Sequence, residues 1–153
     1  MRAEGNRGGF RLHPSNCRLL DATEAMMNNV VTDGHHVLLV AFESADHPLD
    51  AWMERALAKL TGEVYVTFDV DFFDGSLVPA TGTPEPGGGT YDQALSILRR
   101  VGSERKIIGA DVVEHAPMPG NRAPDFMIAK LCYKLLGYAF FPEKARAPIL
   151  SPG

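Results

Sequence analysis

Sulfur and basic charge are both scarce in this chain. Two cysteines, Cys17 and Cys132, stand far apart among 153 residues. No CxxC or zinc-ligand spacing joins them, which excludes a disulfide framework and a cysteine-built metal site. Such usage fits a reducing, cytoplasmic location. Lysine and arginine number 15 against 19 acids, a formal net charge of −4 with no block of like charge. Nothing here is basic enough to bind a phosphate backbone, so no nucleic-acid partner is expected. The longest apolar run, Val37 to Phe42, is strand-sized, whereas a membrane span needs about 18 apolar residues. No apolar stretch follows Arg2 and Arg7 in MRAEGNRGGF, so the start does not read as a secretory signal.

What is present is the composition of one globular domain, 45% hydrophobic and 22% charged. Residues 1–16 have no period. Ala22, Ala25, Met26 and Val30 suggest a modest helix from Asp21 or Thr23 to Val31, closed near Gly34. His36 to Phe42 reads as a buried parallel strand. Leu49, Trp52, Met53, Ala56, Leu57 and Leu60 form one helical stripe that Gly62 ends, with Trp52 a core anchor. A strand from Val64 to Val70 follows. Thr90 and Gln93 form a capping box opening a helix to about Val101. Ile107 to Val113 is the next strand, closed by Glu114. A Pro- and Gly-rich loop then leads to a helix whose apolar face includes Met127, Ile128, Leu131, Cys132, Leu135 and Leu136, with Gly137 as its stop and a loose tail after Pro142. Strands alternating with helices predict an α/β fold, a small three-stranded parallel sheet with helices on both faces.

The chemistry concentrates in V-Y-V-T-F-D-V-D. Alternation along a strand puts Tyr65, Thr67, Asp69 and Asp71 on one face, with the two acids roughly 7 Å apart at its C-terminal end, the edge where open parallel sheets bind ligands. Two carboxylates so close repel unless a cation neutralises them, and oxygen donors suit Mn²⁺ or Mg²⁺. A loop of Gly and Pro from Asp74 to Gly89 is longer than a strand-to-helix connection needs, as site-building loops are. Asp74-Gly75-Ser76-Leu77 weakly resembles the D-G-T motif of aspartyl-phosphate phosphatases. There the acids sit as D-x-D-G, whereas Phe72 and Phe73 separate Asp71 from Asp74 here.

Y-V-T-F-D-V-D-F-F-D, then P-A-T-G-T-P-E-P-G-G, then G-A-D-V-V-E, resembles the ureohydrolase family of arginases and agmatinases, with the loop closest to its agmatinase-like branch. The likeness is collinear from Trp52 to Tyr138. It implies an arginase-like three-layer α/β/α fold, here apparently incomplete, with residues 51–140 forming its C-terminal part, 1–50 a segment without recognisable family motifs and 141–153 a tail. It also implies a binuclear Mn²⁺ site hydrolysing a guanidino compound such as agmatine to urea and an amine. By the same resemblance Asp69 bridges both metals, Asp71 binds one, Glu114 holds the guanidinium, and Thr81, Gly82 and Thr83 line the substrate pocket. Only these two of the family's six metal ligands are found. Asp33, His35, His36, Asp46 and His47 do not reproduce the missing Asp-x-His-x-Asp pattern, and His13 and His115 read as solvent-facing or loop residues, with His115, beside Glu114, within reach of a pocket. A homo-oligomer or a companion chain is the expected partner. Gly75 replaces a usual Pro and Gly89 a usual aliphatic residue, substitutions expected to loosen the loop.

Overall fold

The computed structural model describes residues 19–20, 36–40 and 49–146. The helix expected over 21–31, Cys17, and Asp33, His35, Asp46 and His47 lie outside them. The Trp52 and His36 side chains are also outside the description.

Strands β2 (His36–Val40), β3 (Glu63–Asp69) and β4 (Lys106–Val113) run parallel, as their aliphatic content predicts. A two-residue strand β1 (Leu19–Leu20) pairs antiparallel with β2, giving a four-stranded sheet in the order β1-β2-β3-β4. Sequence pattern misses β1 because two residues carry no period. Helix α1 (Leu49–Leu57) ends before Leu60, but the backbone bond from Leu60 N–H to the Leu57 carbonyl carries the chain on, and Leu60 is buried with Met53 and Leu57. Val64, Val66 and Phe68, the aliphatic parity of β3, are fully buried in one core with these residues.

Helix α2 (Tyr91–Glu104) opens on the expected capping box: the Thr90 hydroxyl accepts from Gln93 N–H, and Gln93 Oε1 accepts from Thr90 N–H. Helix α3 (Ala123–Phe140) buries Pro124, Ile128, Leu131 and Leu135. It does not stop at Gly137. Tyr138 and Ala139 still pack against the core, and this outweighs the roughly 1 kcal/mol penalty of a glycine inside a helix. Gly102 of α2 sits where a Cβ would come 2.9 Å from Tyr138 Cβ, so the two helices meet closely there. Of the expected loose tail, the described residues 142–146 form a short helix α4 (Pro142–Arg146). Ala145 is buried there, and its carbonyl accepts from Arg99 Nε at 2.8 Å. No helix among the described residues is long and apolar enough to cross a membrane.

Candidate active site

Strand β3 delivers Asp69 at its C-terminal end, but Asp71 lies beyond the strand. The chain leaves β3 in a single 3₁₀ turn, Val70–Phe72, for which Asp69 is the N-cap: its Oδ1 accepts from Asp71 N–H at 2.9 Å. The expected pairing of both acids on one strand face is therefore corrected. The cause is the Phe pair: Phe72 and Phe73 turn inward, each about 5.5 Å or less from its neighbours in a cluster with Phe68, and all three are buried. The acids remain neighbours through a turn rather than through the pleat.

Both oxygens of the Asp71 carboxylate are occupied by the following loop. The Thr81 hydroxyl donates to Oδ1 and the Thr83 hydroxyl to Oδ2. The structure thus brings together four of the six expected site residues, Asp69, Asp71, Thr81 and Thr83, while Gly82 is the exposed link between the threonines. Glu114 stands at the end of β4, exposed, in the left-handed region at φ 65°. That is a conformation non-glycine residues hold only at a cost. Burial raises the Asp69 pKa above the ordinary carboxylate value. The Asp71 N–H bond works against that shift, and the Asp71 and Glu114 charges add to it. Three carboxylates therefore share one electrostatic neighbourhood at the C-terminal edge of the sheet, with a demand for positive charge.

The loop is pinned, not loosened. Asp74 Oδ1 accepts from Ser76 N–H and Oγ, and Oδ2 from Gly87 N–H at 2.7 Å, so this aspartate organises the turn. These bonds hold its pKa below the ordinary value. The D-G-S-L stretch thus forms the loop's own turn. Gly75 N–H reaches the Glu85 carbonyl at 2.9 Å, and Val78 and Ala80 are buried anchors. Gly89 is required by close approach, since a Cβ there would lie 2.3 Å from two carbons of the Phe72 ring. The expectation that Gly89 relaxes the loop is overturned by that contact.

Sequence reading singled out neither Asp125 nor Asp111 in a second tier of polar groups. His115 is half-buried, with Nδ1 3.3 Å from the Ala80 carbonyl and Nε2 2.9 Å from Asp125 Oδ1. Ala116 N–H reaches the same carbonyl at 2.8 Å. The segment after Glu114 is thereby strapped to the Thr81 loop and to the first turn of α3. Below Asp69, Tyr65 Oη donates to Asp111 Oδ2 at 3.2 Å, and the register pairs Thr67 with Asp111. Thr67 Oγ1 and Asp111 Oδ1 are buried without partners. Strand parity was the available signal for Asp111, which lies two residues before Val113, the partner of Asp69.

By donor chemistry Asp69 and Asp71 fit a hard cation. Among the described residues no three His, Cys, Asp or Glu side chains group as a metal site.

Comparison with known proteins bears on this geometry. A model of the arginase family matches residues 15–137. Over 99 residues the chain is 42% identical to an N(1)-aminopropylagmatine ureohydrolase of Synechocystis sp., covering 64% of this chain and 32% of that protein. Over 74 residues it is 50% identical to an agmatinase of Chromobacterium violaceum, covering 47% of this chain and 22% of that one. Among solved structures, a hypothetical agmatinase from Burkholderia thailandensis superposes with a TM-score of 0.60 at 31% identity, over 81% of this chain and 46% of that one. The proclavaminate amidino hydrolase of Streptomyces clavuligerus gives 0.56 at 30%, over 66% and 33%. The chain spans about a third or less of the length of these two curated relatives.

Proposed function

The chain belongs to the arginase family, and from that premise we propose that it carries part of a manganese ureohydrolase site. The reaction is hydrolysis of a guanidino C–N bond to urea and an amine, with agmatine or a similar small guanidino compound as substrate. Asp69 and Asp71 are the residues that would hold Mn²⁺. When bound, a pair of such ions would bring the pKa of water towards neutrality and so supply the nucleophile for a carbon otherwise protected by resonance.

The chain's own residues do the rest. Glu114 offers charge-assisted hydrogen bonds to the planar guanidinium, and its carboxylate adds to the negative field that draws a cation to the sheet edge. Thr81 and Thr83 orient Asp71, and with Gly82 they line the pocket. The observation that carries the reading is the turn that sets Asp71 against Asp69 at the end of β3, with Asp71 gripped by both threonines. The remaining ligands would come from residues outside the description, a second copy or a companion chain.

A second reading is a non-catalytic structural or oligomerisation module of the same family. It is favoured by the presence of only part of a metal shell among the described residues.

Equilibrium dialysis against Mn²⁺ separates the two, with an Asp69→Asn/Asp71→Asn double variant as control. Metal retained by the natural chain and lost from the variant, followed by urea release from agmatine, supports the catalytic reading. Equal retention by both proteins would overturn it. Retention without urea release would favour the module.

A further inference from the structure

Glu114 is turned out of the alternation of its strand. Val113 pairs with Asp69 and Val112 with Phe68, so β4 alternates between the face of Asp69 and the buried face of Phe68. Continued extension would send the Glu114 carboxylate to the apolar side, where Val112 packs against the core. At φ 65° the alternation breaks instead, and the Glu114 charge is felt at Asp69, whose pKa it helps to raise. A residue with a Cβ disfavours this conformation by roughly tenfold, and Glu114 is the one non-glycine residue at positive φ among the described residues. Such a residue persists only where its surroundings over-determine it.

The residues on either side supply the hold. Before Glu114, the pairing of β3 with β4 fixes Val113. After it, Ala116 N–H donates to the Ala80 carbonyl at 2.8 Å, and His115 Nε2 lies 2.9 Å from Asp125 Oδ1. We propose that His115 and Asp125 are positioning residues, whose pair holds Glu114 in the left-handed conformation that turns its carboxylate to the side of Asp69. The use of that carboxylate for a guanidinium rests on the ureohydrolase reading, whereas the hold itself does not. Distance ranks the contacts of the His115 ring. The Nε2 bond to a carboxylate is charge-assisted and well within range. Nδ1 is 3.3 Å from the Ala80 carbonyl, which Ala116 N–H already occupies, so this second contact is the weaker. Asp125 is a firm anchor because it sits in the first turn of α3, beside buried Pro124, where the helix dipole favours an acid. A side chain tied to a helix keeps a geometry that a loop alone does not.

Nuclear magnetic resonance on the isotopically labelled full chain tests the hold without metal or substrate, because the amide-to-Hα coupling and backbone carbon shifts of Glu114 report its φ. His115→Ala and Asp125→Ala should each move Glu114 mostly out of the left-handed region, a population shift of roughly tenfold. The double variant should add nothing further, since the two residues act as one pair. His115→Gln keeps a donor near the place of Nε2, and Asp125→Asn keeps an acceptor, so both should retain the left-handed signature. If an alanine variant fails to fold by circular dichroism, His115→Asn replaces it, because asparagine is too short to reach Asp125. A left-handed signature unchanged in the alanine variants would overturn the proposal and leave the hold to the Ala116 backbone bond. Its loss in the Gln and Asn variants as well would also overturn it, since general loss of packing and not the pair would then be the cause. Calorimetry with agmatine is a separate arm. With the competent conformation reduced roughly tenfold, the alanine variants should bind roughly tenfold more weakly, and Asp125→Asn should not. A natural chain that binds no agmatine would count against the ureohydrolase reading, while the resonance result would still decide the positioning role.

Discussion

Single residues in this site are held against their own preferences, and that is measurable. Glu114 sits at φ 65°, where an L-residue with a Cβ is disfavoured by about 1–2 kcal/mol. Glu114→Gly should therefore raise Tm, by up to about 1 kcal/mol of stability once the flexibility of glycine in the unfolded chain is deducted. If Glu114 holds the guanidinium as proposed, the same change should also weaken binding of agmatine, read by calorimetry. A Tm that falls would mean the Glu114 side chain contributes packing that its exposure hides. Gly89 is the converse case. Its Cβ position overlaps the Phe72 ring, so Gly89→Ala should cost about 1–3 kcal/mol by overpacking, measured in urea, whereas Gly62→Ala, with open space around it, should not. The identity of Asp69, Asp71 and Glu114 as candidates was legible because acids at the ends of β-strands are visible in a linear pattern. The demand at Gly89 was not, because it comes from a ring seventeen positions earlier and only the folded loop brings them together.

At the scale of elements, local signals were readable and long-range ones were not. The Thr90–Gln93 box was predictable from four residues and is formed by both its bonds. The alternation that predicted β3 was extended two residues too far, because periodicity cannot see that Phe72 and Phe73 are drawn to Phe68. The Gly137 stop failed for the same reason, since contacts from a distant helix decide how far α3 runs. The loop between β3 and α2 offers a pH test. Asp74 has its pKa lowered in the fold by bonds from Ser76, Gly87 and Gly88. A lowered carboxylate contributes order that is present above its unfolded pKa and is lost as pH falls through its folded one. Protection of residues 75–89 from hydrogen exchange, relative to the intrinsic rate at each pH, should therefore fall on acidification below the ordinary value of 3.8. Asp74→Asn should already show the faster exchange at neutral pH, because its amide nitrogen cannot accept from Gly87 N–H. Protection that is independent of pH through that range would show that the glycine contacts alone hold the loop.

The whole molecule ties its core to one edge of charge. A single cluster joins β3 to α1, α2 and α3, and Asp69, Asp71 and Glu114 sit where β3 and β4 leave that cluster. Anything that binds the folded edge but not the unfolded chain must stabilise the entire unit by mass action, about 2.7 kcal/mol at a hundredfold excess over Kd. If the carboxylates hold Mn²⁺ as proposed, added Mn²⁺ should raise Tm in the natural chain, and chelation should return it. Asp71→Asn should lose that response. Removing one of three neighbouring negative charges relieves repulsion, while the amide keeps only one acceptor for the two threonine hydroxyls, so its metal-free Tm should stay close to that of the natural chain. A full Mn²⁺ response in Asp71→Asn would place the cation elsewhere on the molecule and remove Asp71 from the site. A response lost together with a collapsed metal-free Tm would instead mark the Asp71 contacts to Thr81 and Thr83 as structural first, with any metal role secondary to holding the loop.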